Sequence, residues 1–141
     1  MPGDICRHER FYRDVQGNWQ RKYLLVLAGT PAGDVIYRLL TSRAHGRPTA
    51  PPCFHGLPYP GFYLGVLGGP LTADSWLDLH HADDYDGVDF AADLAGGPMR
   101  RIGRLPTPTP CLALDCVAAA DDTTRQQEGC IRDARAGLEC G

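Results

Sequence analysis

Two apolar runs near the start of the chain dominate its pattern of hydrophobic and polar positions. Residues 22–28 are apolar throughout their centre, which is typical of a strand buried on both faces. Residues 34–43 form a less regular run, which Arg38 interrupts and which ends in Thr, Ser and Arg. The Gly- and Pro-containing residues 29–33 lie between the runs and predict a hairpin-like link. The pattern therefore predicts that the chain begins with β-structure.

The middle of the chain opens with a long segment without periodicity, residues 44–60. It contains five prolines, two glycines and two histidines, and a loop of this length is usually functional or disordered. Its prolines and aromatic residues favour a fixed shape. Beyond it, residues 61–67 and 75–79 have the composition of strands, and Gly-Gly-Pro at 68–70 predicts a turn between them. Residues 101–105 predict one more strand, which the following prolines end.

The last part of the chain has helical periodicity. Apolar positions recur at helical spacing at Leu112, Cys116, Val117 and Ala120. Thr123 and Gln126 fit a capping box that begins a second helix. We therefore expect one domain, residues 1–141, in which residues 1–105 are β-rich and residues 106–141 are helical.

The charge is distributed unevenly along the chain. The net formal charge is −3, which argues against a general nucleic-acid binder. Residues 1–70 nevertheless hold eight basic and four acidic side chains, whereas residues 71–141 hold six and thirteen. Seven acids and no base stand between Asp74 and Asp93. A basic face could bind a polyanion while an acidic face keeps the rest in solution; the alternative is an uneven but solvated surface.

The sequence predicts neither a metal nor a cofactor. The acids at 83, 84, 86 and 89 resemble a calcium loop only loosely, because the spacing lacks the terminal Glu of an EF-hand, and we expect a solvated acidic loop there. No cysteine pair has the Cys-x-x-Cys spacing of a zinc site. Cys53-x-His55 and His80-His81 offer only two unlinked pairs of ligands.

The expected compartment is the cytoplasm. No segment approaches the ~18 consecutive apolar residues of a membrane span, so we expect no membrane association. Charged side chains near the N-terminus stand where a secretory signal would have its apolar core. The six cysteines are therefore expected to be free thiols.

Four short motifs occur in an order that resembles the PemK/MazF toxin family. The order is Gly-Asp-Ile, a basic residue before a Leu/Val run, a strand ending in Thr-Ser, and Ile-Gly-Arg-Leu leading to a helix. In this chain the motifs are Gly3-Asp4-Ile5, Lys22-Tyr23-Leu24-Leu25-Val26-Leu27, Leu40-Thr41-Ser42 and Ile102-Gly103-Arg104-Leu105. The resemblance spans most of the chain. It implies an α+β, β-rich fold, namely an SH3-like barrel of antiparallel strands with a C-terminal helix or helical pair.

The resemblance also implies an activity. Members of the PemK/MazF family are metal-independent endoribonucleases of toxin–antitoxin pairs, which cut single-stranded RNA through attack of a 2′-OH on the adjacent phosphorus. It further implies a homodimer and an antitoxin-like protein partner that covers the active face. In the family, an Arg before the first long strand and a Thr at the end of the next stabilise the phosphoryl charge. Those positions are Lys22 and Thr41 in this chain.

Cations, hydroxyls and histidines around Thr41 extend the candidate site. Arg43 and His45 follow it closely, and an imidazole suits proton transfer near neutral pH. With Lys22, these three residues form the predicted catalytic set. The residues predicted to bind RNA are Arg21, Ser42, Arg47, His55 and Tyr59.

Two other functions stay open at this point. Lys22 stands where the family has Arg, and no acid lies a few positions earlier, which favours a catalytically degenerate SH3-like module. Such a module would bind a protein or act as an inhibitor encoded by a phage or mobile element. The acidic C-terminal half suits that role, because an acidic surface can mimic nucleic acid toward a basic partner. The third possibility is a reduced-cysteine sensor or metal protein.

Overall fold

The computed structural model of the protein describes residues 1–140, which contain seven strands and three helices joined by loops. The strands are β1 (Asp4–Arg13), β2 (Trp19–Gly29), β3 (Val35–Thr41), β4 (Cys53–Phe54), β5 (Gly61–Gly65), β6 (Ser75–Asp78) and β7 (Met99–Arg104). The helices are α1 (Gly87–Leu94), α2 (Thr109–Ala118) and α3 (Arg125–Ala136). None of these helices has the length and apolar composition needed to cross a membrane.

All seven strands belong to one antiparallel sheet with the order β4-β5-β6-β3-β2-β1-β7. β1 lies between β2 and β7, so Ile5 pairs with Leu25 on one side and with Gly103 on the other. The sheet and helices confirm the predicted α+β, β-rich fold. Within residues 1–140 the sheet is not closed into a barrel, because β4 and β7 lie at its two ends and do not pair with each other.

β2 is buried on both faces of the sheet, as its continuous apolar sequence predicts. Leu25 packs in the larger core with Val117 of α2 and Ile131 of α3. Leu24 points to the other face, where Phe90 of α1 packs against a smaller core. Full burial of one such leucine contributes about 1.5–3 kcal/mol relative to exposure. Helices are therefore needed on both sides of this strand.

Both predicted C-terminal helices are present, but the capping box lies one residue further along than the sequence indicates. The Thr124 hydroxyl accepts a hydrogen bond from the backbone N–H of Gln127, whose side chain accepts one from the Thr124 N–H. Thr123 instead donates its hydroxyl to the carbonyl oxygen of Val117 at 2.7 Å. The predicted pairing of Thr123 with Gln126 is therefore wrong, because the Thr123 hydroxyl closes the end of α2.

Asp83, Asp84 and Asp86 lie in an exposed loop, as the sequence predicts, whereas Asp89 is exposed on the helix α1 that follows. Asp86 begins α1, and its carboxylate accepts hydrogen bonds from two backbone N–H groups of the first turn. The backbone N–H of Gly87 donates to the Asp34 carboxylate at 3.0 Å. A Cβ atom at this position would collide with the carbonyl oxygen of Gly33. The sequence did not predict α1, because a carboxylate that caps a helix cannot be told from a solvated one by composition alone.

Four of the six cysteines form disulfides, so the expectation of six free thiols is wrong. The pairs are Cys53–Cys116 and Cys111–Cys140. Both bonds join α2 to distant segments, since the partners are 63 and 29 residues apart in sequence. Cys6 and Cys130 remain free. The sequence could not show this connectivity, because cysteine spacing alone does not determine pairing.

Arg38 is fully buried between β3 and α3. Its guanidinium donates to the carbonyl oxygen of Tyr37 at 2.8 Å and to the side-chain oxygen of Gln127 at 3.2 Å. Burial lowers the pKa of Arg38, and the Asp84 carboxylate opposes that shift. Gln127 also donates to Asp84 at 2.9 Å. One buried side chain of α3 thus links the centre of the sheet to the segment that precedes α1.

We predict that Gln127→Leu lowers the free energy of unfolding by about 2 kcal/mol, because it removes the side-chain partner of a buried guanidinium. Urea unfolding followed by circular dichroism measures the change. Gln126→Leu is the control, since Gln126 is exposed on the same helix and should shift stability by less than about 0.5 kcal/mol. Equal losses for the two variants would contradict the assigned role of Gln127.

Candidate functional site

A polar cleft of about 580 Å³ opens at one end of the sheet, where β2 begins and β3 ends. Its walls come from the first three strands, the loop after β3 and the segment around β6. It brings together eight of the nine residues that the sequence predicts for the site. They are Arg21, Lys22, Thr41, Ser42, Arg43, His45, Arg47 and Tyr59.

The strand register places Lys22 beside Thr41. Tyr23 of β2 pairs with Leu40 of β3, so Lys22 and Thr41 fall in the adjoining row of the antiparallel ladder. Thr41 also pairs with Trp76 of β6. Because side chains alternate along a strand, Thr41 faces away from the side on which Leu40 is buried.

The chain turns sharply just beyond the Thr41 hydroxyl. Thr41 Oγ1 accepts a hydrogen bond from the backbone N–H of Arg43 at 3.1 Å. His45 has a φ of 48°, which is uncommon for a residue other than glycine. Thr41, Arg43 and His45, on either side of this turn, all line the cleft.

Lys22 and Arg43 are cations without a carboxylate partner. Neither side chain forms an ion pair within residues 1–140, and Arg43 is exposed. The Lys22 ammonium lies 5.6 Å from the centroid of the Tyr12 ring. Arg21 differs from them, because its Nε donates to Glu9 at 3.0 Å. Lys22 and Arg43 therefore remain available to an anionic ligand.

Arg47 anchors the loop that follows β3. Its side chain is only 6% exposed, and it donates to the carbonyl oxygens of Pro60 and Arg43, both at 3.1 Å. A guanidinium nitrogen also lies 3.6 Å from the Asp78 carboxylate. Gly61 makes room for it, since a Cβ atom there would lie 2.5 Å from Arg47 Cδ. The donors of Arg47 are occupied within the protein, so its position supports loop structure more than direct RNA contact.

Tyr59 forms an aromatic surface at the cleft. Its ring stacks on His45 with 4.7 Å between centroids, and the His80 ring meets it edge-on at 6.2 Å. Tyr59 is 40% exposed. The His45 ring and the Arg47 guanidinium, 5.4 Å from the Tyr59 centroid, both cover part of the ring, so a nucleobase would stack on the part that stays exposed.

His80 and Asp78 are site residues that the sequence analysis did not assign. His80 Nδ1 lies 2.7 Å from an Asp78 carboxylate oxygen, and Nε2 lies 2.8 Å from the carbonyl oxygen of Pro58. Both partners are acceptors, so both hydrogen bonds form together only when His80 carries two ring protons. The sequence feature that could have identified this pair is the Asp-x-His spacing at the end of a predicted strand, because residues two apart on a strand share one face.

His55 is the one predicted RNA-binding residue that the structure does not bring to the cleft. Its Nε2 lies 3.2 Å from Cys53 Sγ and 4.0 Å from Cys116 Sγ. The sequence placed His55 with His45 because both lie in the loop of residues 44–60. The short strand β4 divides that loop and contacts α2, which places His55 beside α2, and the chain returns to the cleft at Tyr59.

The acidic segment is mostly engaged in contacts within the protein. Of its seven carboxylates, six have partners among residues 1–140, and Asp89 alone has none. The bonded acids and their partners are Asp74 with Tyr63, Asp78 with His80, Asp83 with His81, Asp84 with Gln127, Asp86 with the α1 backbone, and Asp93 with Tyr85. These bonds shape the segment locally, while Asp74, Asp83, Asp84, Asp86 and Asp89 stay exposed at the surface.

Comparison with protein-family models, curated proteins and solved structures gave no match to the chain. The resemblance to PemK/MazF toxins therefore stays a prediction from four sequence motifs. The interpretation of the cleft depends on its own residues and geometry.

We predict that Gly61→Ala displaces Arg47 and lowers the free energy of unfolding by about 1–3 kcal/mol, the usual range for an overpacked site. The Trp76 indole donates to the carbonyl oxygen of Pro48 at 3.1 Å, so tryptophan fluorescence should report the altered loop. Gly103→Ala is the control, because a Cβ atom there meets no atom within 4 Å. Unchanged fluorescence and stability in Gly61→Ala would show that Arg47 does not need this space.

Proposed function

We propose that the chain is a metal-independent endoribonuclease of the PemK/MazF type, which cuts single-stranded RNA. The observation that carries this proposal is the cleft that gathers the Thr41 hydroxyl, the unpaired cations Lys22 and Arg43, and the imidazoles of His45 and His80. These are the groups that phosphoryl transfer to a 2′-OH requires. All of them are protein side chains, so the reaction needs no bound ion.

Each step of the proposed reaction has a candidate group. His45 takes the proton of the 2′-OH as its oxygen bonds to phosphorus. Lys22 and Arg43 stabilise the charge on the phosphoryl oxygens, and the Thr41 hydroxyl donates a hydrogen bond to one of them. His80, held by Asp78 through Nδ1, exchanges its Nε2 hydrogen bond to the Pro58 carbonyl for one to the departing 5′-oxygen and gives that oxygen the Nε2 proton as the P–O5′ bond breaks. The products are a 2′,3′-cyclic phosphate and a 5′-hydroxyl.

The proposal includes the way in which RNA is held. Tyr59 stacks on a base, while Arg21 and Ser42 contact the backbone beside the reacting phosphate. Arg47 contributes indirectly by fixing the loop on which Arg43, His45 and Tyr59 are carried. Base stacking tolerates many sequences, so sequence preference would come from the other walls of the cleft.

We further propose that the sheet is an opened form of an SH3-like barrel. Register shifts interrupt four strand pairings, β1–β2, β1–β7, β2–β3 and β5–β6. Such irregularities bend strands and increase their twist, as a barrel requires. The proposal extends to a homodimer and to an antitoxin-like partner that covers the cleft and blocks RNA.

The alternative of a degenerate acidic binding module has less support. Six of the seven carboxylates between Asp74 and Asp93 have hydrogen-bond partners inside the protein, although five of the seven remain exposed. A nucleic-acid mimic needs carboxylates that are free to meet a basic partner. The cleft, in contrast, presents unpaired cations.

We predict that the protein arrests bacterial growth on induction and cleaves single-stranded RNA in the presence of EDTA. Thr41→Ala should lower the cleavage rate by about 100-fold, because it removes a hydrogen bond to the developing charge. Thr49→Ala, an exposed change in the loop that follows β3, is the control and should cleave normally. Colony formation measures the growth arrest. Gel analysis of RNA and identification of the cyclic phosphate measure the cleavage.

Cleavage that stops with chelator and returns with one divalent ion would contradict the proposed chemistry. Normal growth with intact RNA at high expression would contradict the activity itself. In that case the protein-binding module becomes the better-supported hypothesis.

We predict that binding of a 2′-O-methyl RNA, which cannot be cleaved, weakens steeply with salt. Arg43→Ala should weaken binding and reduce the slope of log affinity against log salt by about 0.7, the value for one lost phosphate contact on a single strand. Arg132→Ala is the control, because Arg132 is exposed on α3 and pairs with Glu128. Fluorescence anisotropy measures the affinities.

The same assay separates the two leading functions. Asp83→Lys should leave RNA binding nearly unchanged, since Asp83 lies outside the cleft. Failure of the unmutated protein to bind RNA at low salt would rule out the ribonuclease. Loss of a captured protein partner in Asp83→Lys would instead favour the acidic module.

A further inference from the structure

Three metal-ligating side chains meet outside the cleft, at Cys53, His55 and Cys116. Their ligand atoms all lie within 4.8 Å of one another. Cys53 is on β4, His55 lies two residues later, and Cys116 is on α2. The two cysteines are 63 residues apart in sequence, and their Cα atoms are 5.7 Å apart. The fold thus adds Cys116 to the Cys53-x-His55 pair, and the spacing of residues in the sequence does not predict that contact.

We propose that Cys53, His55 and Cys116 bind a Zn²⁺ ion when the Cys53–Cys116 disulfide is reduced. Two thiolates and one imidazole are the donors that zinc prefers, and three protein ligands leave the fourth tetrahedral position for water. The proposal is independent of the nuclease, because the three residues lie outside the cleft.

The distances suit a tetrahedral ion. With Zn–S near 2.3 Å and Zn–N near 2.0 Å, ligand atoms around one zinc lie roughly 3.5–3.8 Å apart. His55 Nε2 lies 3.2 Å from Cys53 Sγ and 4.0 Å from Cys116 Sγ, on either side of that range. The two sulfurs are bonded to each other in the disulfide, so in the reduced protein the cysteine side chains must rotate about their Cα–Cβ bonds to open a similar separation.

An ion can reach the site from solvent. His55 is exposed and Cys53 is half-buried, whereas Cys116 is buried on α2. The imidazole therefore stands at the open side of the cluster. The buried Cys116 thiolate would bind the ion from the protein side, so the site is attached to α2.

The disulfide and the zinc ion exclude each other, because they use the same two sulfurs. A phosphine reductant breaks the S–S bond, gives two thiols and becomes a phosphine oxide that takes its oxygen from one water molecule. Zinc then displaces one proton from each thiol and bonds to the two thiolates and to His55. Either cross-link holds β4 against α2, so the loop of residues 44–60 stays attached in both redox states.

The second disulfide offers an internal comparison. Cys111 and Cys140 are also paired, but among residues 1–140 no third metal-ligating group lies close enough to complete a site with them. Reduction of the whole protein should therefore create one zinc site per chain and not two.

The test uses the full chain, reduced with a phosphine, desalted without oxygen and titrated with Zn²⁺ against a chromophoric chelator. We expect one zinc per chain in the reduced protein and none in the oxidised protein. Co²⁺ in place of zinc should give near-ultraviolet thiolate-to-cobalt charge-transfer absorption and the strong visible bands of a tetrahedral ion. His55→Ala should weaken affinity by at least about tenfold, since it removes one of three protein ligands.

Two cysteine variants complete the design. Cys53→Ser should reduce the cobalt charge-transfer band and abolish stoichiometric zinc binding. Cys130→Ser, which removes a free thiol elsewhere on α3, should bind zinc as the unmutated protein does. The proposal is overturned if the reduced protein takes up no zinc, if the oxidised protein binds equally well, or if His55→Ala and Cys53→Ser both leave affinity and cobalt spectrum unchanged.

Discussion

Burial of β2 on both faces is the constraint on which the rest of the structure depends. Leu24 and Leu25 are almost fully buried on opposite sides of the sheet, so both sides need a cover. α2 and α3 supply one cover and α1 contributes to the other. The apolar run begins just after Lys22, and the sheet becomes polar at that point. The position of the cleft therefore follows from where the buried part of β2 starts.

The arginines around the cleft and the sheet centre serve different purposes. Arg38 and Arg47 are buried. Arg38 joins β3 to α3 through the side-chain oxygen of Gln127, and Arg47 joins the loop after β3 to Pro60 and Asp78 through carbonyl and carboxylate oxygens. Arg43 is exposed and has no carboxylate partner within residues 1–140. A cation already committed to the fold adds little to the capture of an anion, because its donors are taken. The proposed binding of phosphate in the cleft therefore depends on Lys22 and Arg43.

The long loop after β3 is held at both ends. Arg47 ties its first half to the end of the sheet, and the bond between Cys53 and Cys116 ties its second half to α2. Tyr59 and His45 then stack across the fixed loop. A loop restrained in this way orders its functional groups before a ligand arrives, which lowers the entropic cost of binding. This arrangement explains how a segment without regular periodicity can form one wall of a site.

The sequence by itself determined the apolar strands, the two C-terminal helices and the grouping of Lys22 with the polar end of β3. These follow from local periodicity and from residues that are neighbours on paired strands. Only the tertiary structure separated His55 from the cleft, brought His80 into it and joined Cys53 to Cys116. It also turned the acidic segment into a set of caps and bridges. The reason is that such contacts link positions tens of residues apart, and a carboxylate, thiol or imidazole gains its role from the partner that folding brings to it.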